Sequence, residues 1–556
     1  MDQRCLRGYA DMCTLARGLA LLTLTVVISG ITVAAQDADG RRFHFRPGNL
    51  VVSRSVYDNK ASNITVGQQL PPGCTSANCV TAGYNGLFPF IFNNATIDGS
   101  FGITSKILLD QLTPFGLRVN TLEVPNSLQH RITSTADQLV TSFSSKSELA
   151  LHLSTDHRYL TFIGYVAPVN GVDVSNANTP LVIDSTNPDP QTFYRAVAQV
   201  DEDGHFSFTE TNAYSGDNGR AAILSNLNGQ DFYFTAGNAG NGGSPQPTGV
   251  VLAAGAQIID PLDEPASAQS PGLPTPVGAF SITELGDKSD KVGKDDNYRG
   301  LTIFDDVLYY TKGSGGNGVD TVYFVDTTGT ACPSGVGLPA PSAALPSMPF
   351  SAYNPVTGTP TNMCILAGFP TILASKPASD HYPFGLWFAN ATTLYVADEG
   401  DGYTGGTDLY SHAAAQPWAG LQKWVFNSTT QQWTLAYTLQ TGLELGVPYT
   451  VTGFPTGTNS VTGLPWSPAT DGLRNLVGRL DPWGNVTIWA ITSTVSGDGD
   501  TGADPDRLVV IQDSLNNTDP TVAAGEQFYT LRTAGFGEVL RGISFAPGTG
   551  LDRRGW

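Results

Sequence analysis

The stretches FGLWFANATTLYVADEG (residues 384–400) and GLQKWVFNSTTQQWTLAYTL (residues 420–439) read together as four short strands. The strands fall at residues 385–388, 394–397, 421–426 and 434–439. NSTTQQ between the last two has the polar composition of a hairpin turn. The run TLYVA is apolar without clean alternation, which suits a strand covered on both faces.

The same unit recurs along the chain with insertions of different length. Residues 299–327 carry RGLTIFDDVLYYTKGSGGNGVDTVYFVDT. Residues 473–494 carry LRNLVGRLDPWGNVTIWAITST, followed by RLVVIQD and FYTLRTAG. GRAAILSNLNGQDFYFTAGN (219–238) continues with GVVLAAG (249–255) and FSITELG (280–286). ELALHLSTDHRYLTFIGY (148–165) continues with YRAVAQVDEDGHFSFTET (194–211). The sixth copy is split. Its first strand is LRGISFAP (540–547), and the other three are NLVVSRSVYD (49–58), KILLDQLTP (106–114) and VNTLEVP (119–125). Four-strand units repeated around a ring define a β-propeller. A blade shared between the two ends closes the ring and removes its open sheet edges. The reading is an all-β, six-bladed β-propeller, with seven blades if an insertion hides a weak unit; a β-sandwich is the competing fold.

Composition agrees. Of 556 residues, 40% are hydrophobic and only 14% are charged, with 62 Gly and 36 Pro. Residues 1–35 read as an export signal: Arg4, Arg7 and Arg17 precede the apolar run GLALLTLTVVISGITVAA. An uncleaved anchor is the alternative, since that run is near spanning length. Residues 36–556 are then one propeller domain, secreted to the extracellular space or periplasm and expected to be monomeric. The formal net charge of -20 and the lack of any Lys/Arg run argue against nucleic acid or an anionic membrane surface as partner. Of the six cysteines, Cys5 and Cys13 lie in the signal. The other four are expected to form Cys74–Cys79 and Cys332–Cys364, stapling loop insertions.

No dinucleotide, phosphate-loop or H-E-x-x-H fingerprint is present, so candidate functional residues come from the geometry of the ring. An acidic residue stands three before an arginine ahead of four first strands: DNGR (217–220), DNYR (296–299), DGLR (471–474) and EVLR (538–541). First strands line a propeller's channel, so Arg220, Arg299, Arg474 and Arg541 are expected to ring one mouth, with Asp217, Asp296, Asp471 and Glu538 close by. They either lock neighbouring blades through bidentate ion pairs or bind an anionic or polyhydroxylated ligand. His381, in DHYPFG, and Lys146 and Glu148, in SKSEL, occupy the corresponding places in the other blades.

Long Gly/Asp-rich loops join second to third strands on that same face. VSGDGDTGADPDR (495–507) holds four aspartates but fails as an EF-hand: counting from Asp498, position five is Gly502 and position twelve is Val509. It is either a solvated turn or an irregular calcium site using Asp398, Asp498, Asp500 and Asp504. A calcium-dependent hydrolase of the lactonase type would draw channel ligands from Asn218, Asn297, Asn475, Glu148 and Asp398. The alternative is a binding or scaffold module for a glycan or other small molecule, and the residues alone leave open whether the chain is an enzyme.

The stretches LSTDHRYLTFIGY, AYSGDNGRAA, TLYVADEG, GLQKWVF, GLRNLVGRL and LRGISFAP resemble exported, mainly bacterial β-propeller proteins of unassigned function. The resemblance covers most of residues 45–548. It implies export and a propeller, and it carries no catalytic residues.

Overall fold

The computed structural model describes residues 43–63, 65–70, 72–75, 79–81, 102–129, 132, 138–180, 189–211, 213–226, 231–238, 255–259, 261, 278–280, 297–313, 319–345, 363–372, 381–460, 462–499 and 501–551. Six antiparallel sheets of four or more strands form a six-bladed β-propeller.

Blade I is the split one, ordered from the channel outward as Glu538–Phe545, Leu50–Val56, Thr104–Leu112 and Arg118–Glu123. Leu50 pairs with Phe545 and Val56 with Glu538, with one irregularity between Val52 and Arg54. Blade II is His152–Leu153, Leu160–Tyr165, Arg195–Val200 and Phe206–Thr211. Blade III is Gly219–Ser225, Phe232–Gly237, Ala256–Ile259 and Gly278–Phe280. Tyr298–Phe304, Val307–Lys312, Thr321–Val325 and Met363–Leu366 make blade IV, where Val336–Gly337 adds a short parallel strand. Blade V comprises Pro383–Asn390, Thr393–Asp398, Gly420–Asn427 and Gln432–Leu439. Blade VI comprises Ala469–Leu480, Asn485–Val495, Arg507–Ser514 and Tyr529–Thr533. Each first strand touches the first strand of the next blade, and Glu538–Phe545 touches His152–Leu153 to complete the circle.

Burial follows position within the blade. The second strands Leu160–Tyr165, Phe232–Gly237, Val307–Lys312 and Thr393–Asp398 are buried at every residue. That is why they read as continuous apolar runs. The outermost strand Tyr529–Thr533 is largely open to solvent. At the hairpin of blade V, the Asn427 side-chain oxygen accepts from the Thr429 and Thr430 N–H groups. The third strand of blade III runs over Ala256–Ile259, paired with Tyr233–Ala236; of the stretch 249–255, residues 249–254 lie outside the described residues.

The first strands meet backbone to backbone. A Cβ at Gly300 would fall 2.0 Å from the Phe384 carbonyl oxygen, and one at Gly542 would fall 2.2 Å from that of Leu149. Any larger residue would push adjacent blades apart. These glycines directly follow Arg299 and Arg541, so the residue type that lets blades close together sits beside the residue that ties them.

Both disulfides are formed. Cys74–Cys79 spans the small hairpin of Gln69–Leu70 and Val80–Thr81, an insertion in blade I. Cys332–Cys364 ties the excursion after Thr321–Val325 to the fourth strand of blade IV. Among the described residues, no helix is long and apolar enough to cross a membrane.

Candidate functional site in the central channel

The channel has two zones. Strands within a blade are antiparallel, so loops from second to third strands share one face with the entries to the first strands. The turns between first and second strands lie on the other face.

At the entry face the four arginines are all buried, between 2% and 4% exposed. They link segments of different blades. Arg220 donates to the Asn297 side-chain oxygen and, at 2.9 Å, to the Tyr298 carbonyl. Arg541 donates to the carbonyls of Ser142, Phe143 and Ser145. Arg299 reaches the Ser147 hydroxyl and lies 3.9 Å from Glu399 Oε1. Arg474 Nε lies 3.3 Å from Glu399 Oε2, and its Nη2 donates to the Thr501 carbonyl at 3.0 Å. Lys146 Nζ approaches Glu399 Oε1 at 3.3 Å. Three cations from three segments therefore share one carboxylate. Burial opposes the charge on Glu399, but Lys146, Arg299 and Arg474 outweigh it and hold its pKa below the ordinary range. Burial pushes the Lys146 ammonium down to about 8 against the pull of Glu399. Burial, and then repulsion from Arg299, pushes Arg220 down to about 9.

The arginines are thus part of a buried layer; of their expected acidic neighbours, Asp471 and Glu538 hold other groups, while Asp217 also acts on Arg220 through its charge. Asp471 accepts from Gly402 N and Gln416 Nε2. Glu538 accepts from Arg54 and Gly535 N. Asp217 accepts from Asn218 N, and its carbonyl receives the Arg195 guanidinium. Asp296 lies outside the described residues.

His381 is also a core residue, 5% exposed. Its Nδ1 lies 3.2 Å from Asp398 Oδ2, and its ring meets Trp418 edge-on.

Among its described residues the acidic loop is largely buried and is not a solvated turn. It covers the charged layer: Gly502 packs so closely that a Cβ there would fall 1.7 Å from the Ser144 carbonyl oxygen. Asp504 and Asp506 are buried. Asp504 Oδ1 accepts from the Ser496 hydroxyl at 2.5 Å, and Asp506 Oδ1 accepts from Leu540 N at 2.8 Å. Asp500 lies outside the described residues. Asp398 is turned to Tyr382 N, Gly400 N and Gln422. Among the described residues, one group of three His, Cys, Asp or Glu brings its ligand atoms within 4.8 Å: Asp326 with Cys332 and Cys364, whose sulfurs are bonded to each other. The other residues weighed as channel ligands hold protein groups too. Glu148 accepts from Thr141, Ser142 N and Tyr165. Asn218 donates to Ser145, and Asn475 donates to the Arg541 carbonyl.

Beyond the glycine layer the channel opens into a cavity of about 440 Å³. Every blade contributes to its wall: Leu153, Ile223, Leu301, Leu386, Val477 and Phe545 come one from each. His152, Asp305 and Asp306 supply polar groups at the turn face. Asp305 and Asp306 form the whole two-residue turn between Phe304 and Val307, with φ of 50° and 58°. Two successive left-handed residues make the type I′ geometry that suits a twisted hairpin. Burial pushes the His152 imidazole down to about 4.

Sequence reasoning missed Glu399, His152 and the Asp305–Asp306 turn. Glu399 had a legible signal: an acid directly after a second strand that is buried throughout.

No family model matches the chain, and none of the curated proteins matches it. Solved structures do match. One is an ulvan lyase, a polysaccharide lyase bound to -[GlcA(1-4)Rha3S]-, at 10% identity over 89% of this chain and 96% of that chain, with a TM-score of 0.31. Others are the Pyrococcus horikoshii acylaminoacyl peptidase (9% identity, 86% and 52% covered, TM-score 0.23) and a B. megaterium levansucrase mutant (8%, 90% and 94%, 0.24).

Proposed function

We propose that this protein is a binding propeller that holds a small ligand in its central channel, on the side of the turns between first and second strands. The observation that carries the reading is the cavity of about 440 Å³ walled by all six blades. Its size falls in the range of small-molecule sites, and its lining mixes apolar side chains with a few polar groups. The ring supplies rigidity: the inner strands are packed backbone to backbone, and the charged layer closes the other end. Such a cavity needs little reorganisation to receive a ligand. Export belongs to the same reading, supported by two disulfides, which persist in oxidising compartments.

The test is a thermal-shift screen of saccharides and other small molecules against the wild type and two channel-filled variants, Thr302→Trp and Leu153→Trp. Both residues line the cavity and are only partly buried. Compounds that raise Tm in the wild type and fail to do so in folded filled variants support the channel site. Compounds that stabilise wild type and filled variants equally overturn it.

A further inference from the structure

We propose that residues 515–528, a strap that blade VI lays across blade V, form a pH-sensitive latch held shut by a proton shared between Glu526 and Asp513 and released as that proton is lost.

The strap joins the third and fourth strands of blade VI, yet its anchors lie on blade V. Lys423, in the third strand of blade V, donates from Nζ to the Ser514 carbonyl at 2.7 Å and to the Asn517 carbonyl at 2.8 Å. Phe528 N donates to the Thr441 carbonyl at 2.9 Å. Ala523 and Phe528 are buried in one apolar cluster with Leu439 and Leu443 of blade V.

Beneath these anchors sits a group of charges. Asp513 is buried. Its Oδ2 takes the Lys423 ammonium at 3.0 Å and the Tyr395 hydroxyl, and its Oδ1 takes the Tyr437 hydroxyl at 2.8 Å. Those donors come from blade V, so Asp513 already ties the two blades together. Glu526 reaches the same carboxylate from the strap. Its Oε2 is buried and has no hydrogen-bond donor among the described residues. The Lys423 N–H groups are taken up by Asp513, Ser514 and Asn517. The other groups that face Glu526 are the Tyr395 and Tyr437 hydroxyls and the Asn517 amide. Two ionised carboxylates here would share one ammonium. A proton on Glu526 replaces their repulsion with a hydrogen bond to Asp513. Burial, and then the charge of Asp513, pushes the Glu526 carboxyl up to about 7 against the pull of Lys423 and Asn517. Glu526 is only half-buried, so its proton can exchange with solvent.

In an opened strap Glu526 is an ordinary glutamate, titrating near 4.3. Opening therefore releases a proton between about pH 4 and pH 7. It becomes easier as pH rises through that window and levels off above it. From pH 5.5 to pH 7.5 the opening equilibrium should rise on the order of twentyfold.

Hydrogen–deuterium exchange read by mass spectrometry tests this on the whole protein at pH 5.5, 6.5, 7.5 and 8.5, with each rate divided by the intrinsic rate at that pH. Peptides over residues 523–528 report the strap, and peptides over Thr393–Asp398 report the ring. The expected result is strap opening that rises at least tenfold between pH 5.5 and 7.5, more steeply than the ring, and little further by pH 8.5. Glu526→Gln keeps a donor for Asp513 and removes the titration. Its strap should be as protected at pH 7.5 as at pH 5.5 once the ring's own change is subtracted. A wild-type strap that opens no more steeply with pH than the ring overturns the latch. So does a Glu526→Gln strap that keeps the wild-type pH profile.

Discussion

Arg474 Nε lies 3.3 Å from Glu399 Oε2, although the two residues belong to neighbouring blades. Arg299, from the blade on the other side, approaches the second oxygen of the same carboxylate at 3.9 Å. Glu399 is thus the shared counter-charge for blades IV, V and VI. Glu399→Gln would leave Arg299, Arg474 and Lys146 facing each other without it. Removing one partner from a buried ion pair costs roughly 3–5 kcal/mol. Urea melts should show a loss of that size for Glu399→Gln. Arg474→Ala should also be clearly destabilised, since Glu399 would keep only Arg299 and Lys146. A change below about 1 kcal/mol in both variants would mean that the layer is effectively solvated.

Closure of the ring gives the second prediction. Strand Glu538–Phe545 pairs along its length with Leu50–Val56. Arg541 also donates to three carbonyls of the segment leading into blade II. Deleting residues 538–547 exposes the edge of Leu50–Val56 and strands those carbonyls. The whole ring should lose its cooperative melting transition, because each blade buries its faces against two neighbours. Arg541→Lys is the milder probe: one ammonium cannot reproduce the guanidinium fork, so a lowered Tm is expected. An unchanged melt in the deletion variant would refute closure by the two ends.

These two predictions draw on parts of the molecule that differ in how far the sequence revealed them. The four strands of blade V were legible because their apolar runs and turn residues are local signals, and the split blade followed from counting copies. Positions of the arginines were legible too, since they lie in recognisable first strands. Their partners were not. The DGLR spacing suggests that Asp471 and Arg474 meet, yet Asp471 accepts from Gly402 N and Gln416 Nε2, and Arg474 finds Glu399 in another blade. The cavity was illegible for a similar reason. Leu301, Leu386 and Val477 are ordinary strand residues, and only closure of the ring brings them together.

Reduction supplies a third prediction. The cysteines of Cys332–Cys364 are 32 residues apart, and those of Cys74–Cys79 only five. If cross-links act by restricting the unfolded chain, the longer loop contributes more, about 3–4 kcal/mol against roughly 2. Cys332→Ser/Cys364→Ser should therefore lower stability more than Cys74→Ser/Cys79→Ser in denaturant melts. The reverse order would show that the short loop contributes through native packing instead.

The fourth prediction concerns Asp506, the last aspartate of the acidic loop, whose Oδ2 is buried and without a hydrogen-bond partner among the described residues. Burial pushes its carboxyl up to about 7, against the pull of Leu540 N, Arg474 and Arg541. In the unfolded chain an aspartate titrates near 3.9. Between about pH 4 and pH 7 the folded state therefore binds more protons than the unfolded state, so stability falls as pH rises through that window and levels off above it. Asp471, raised to about 7 chiefly by burial, contributes a slope of the same sign. Asp506→Asn keeps an acceptor for Leu540 N and removes the charge. Relative to wild type, the variant should be nearly neutral at pH 4.5 and stabilised at pH 8, by on the order of 2–4 kcal/mol for a shift of this size. Urea melts at the two pH values decide the matter. A variant destabilised equally at both would mean that Asp506 is ionised in the fold and serves Arg474 and Arg541 as a counter-charge.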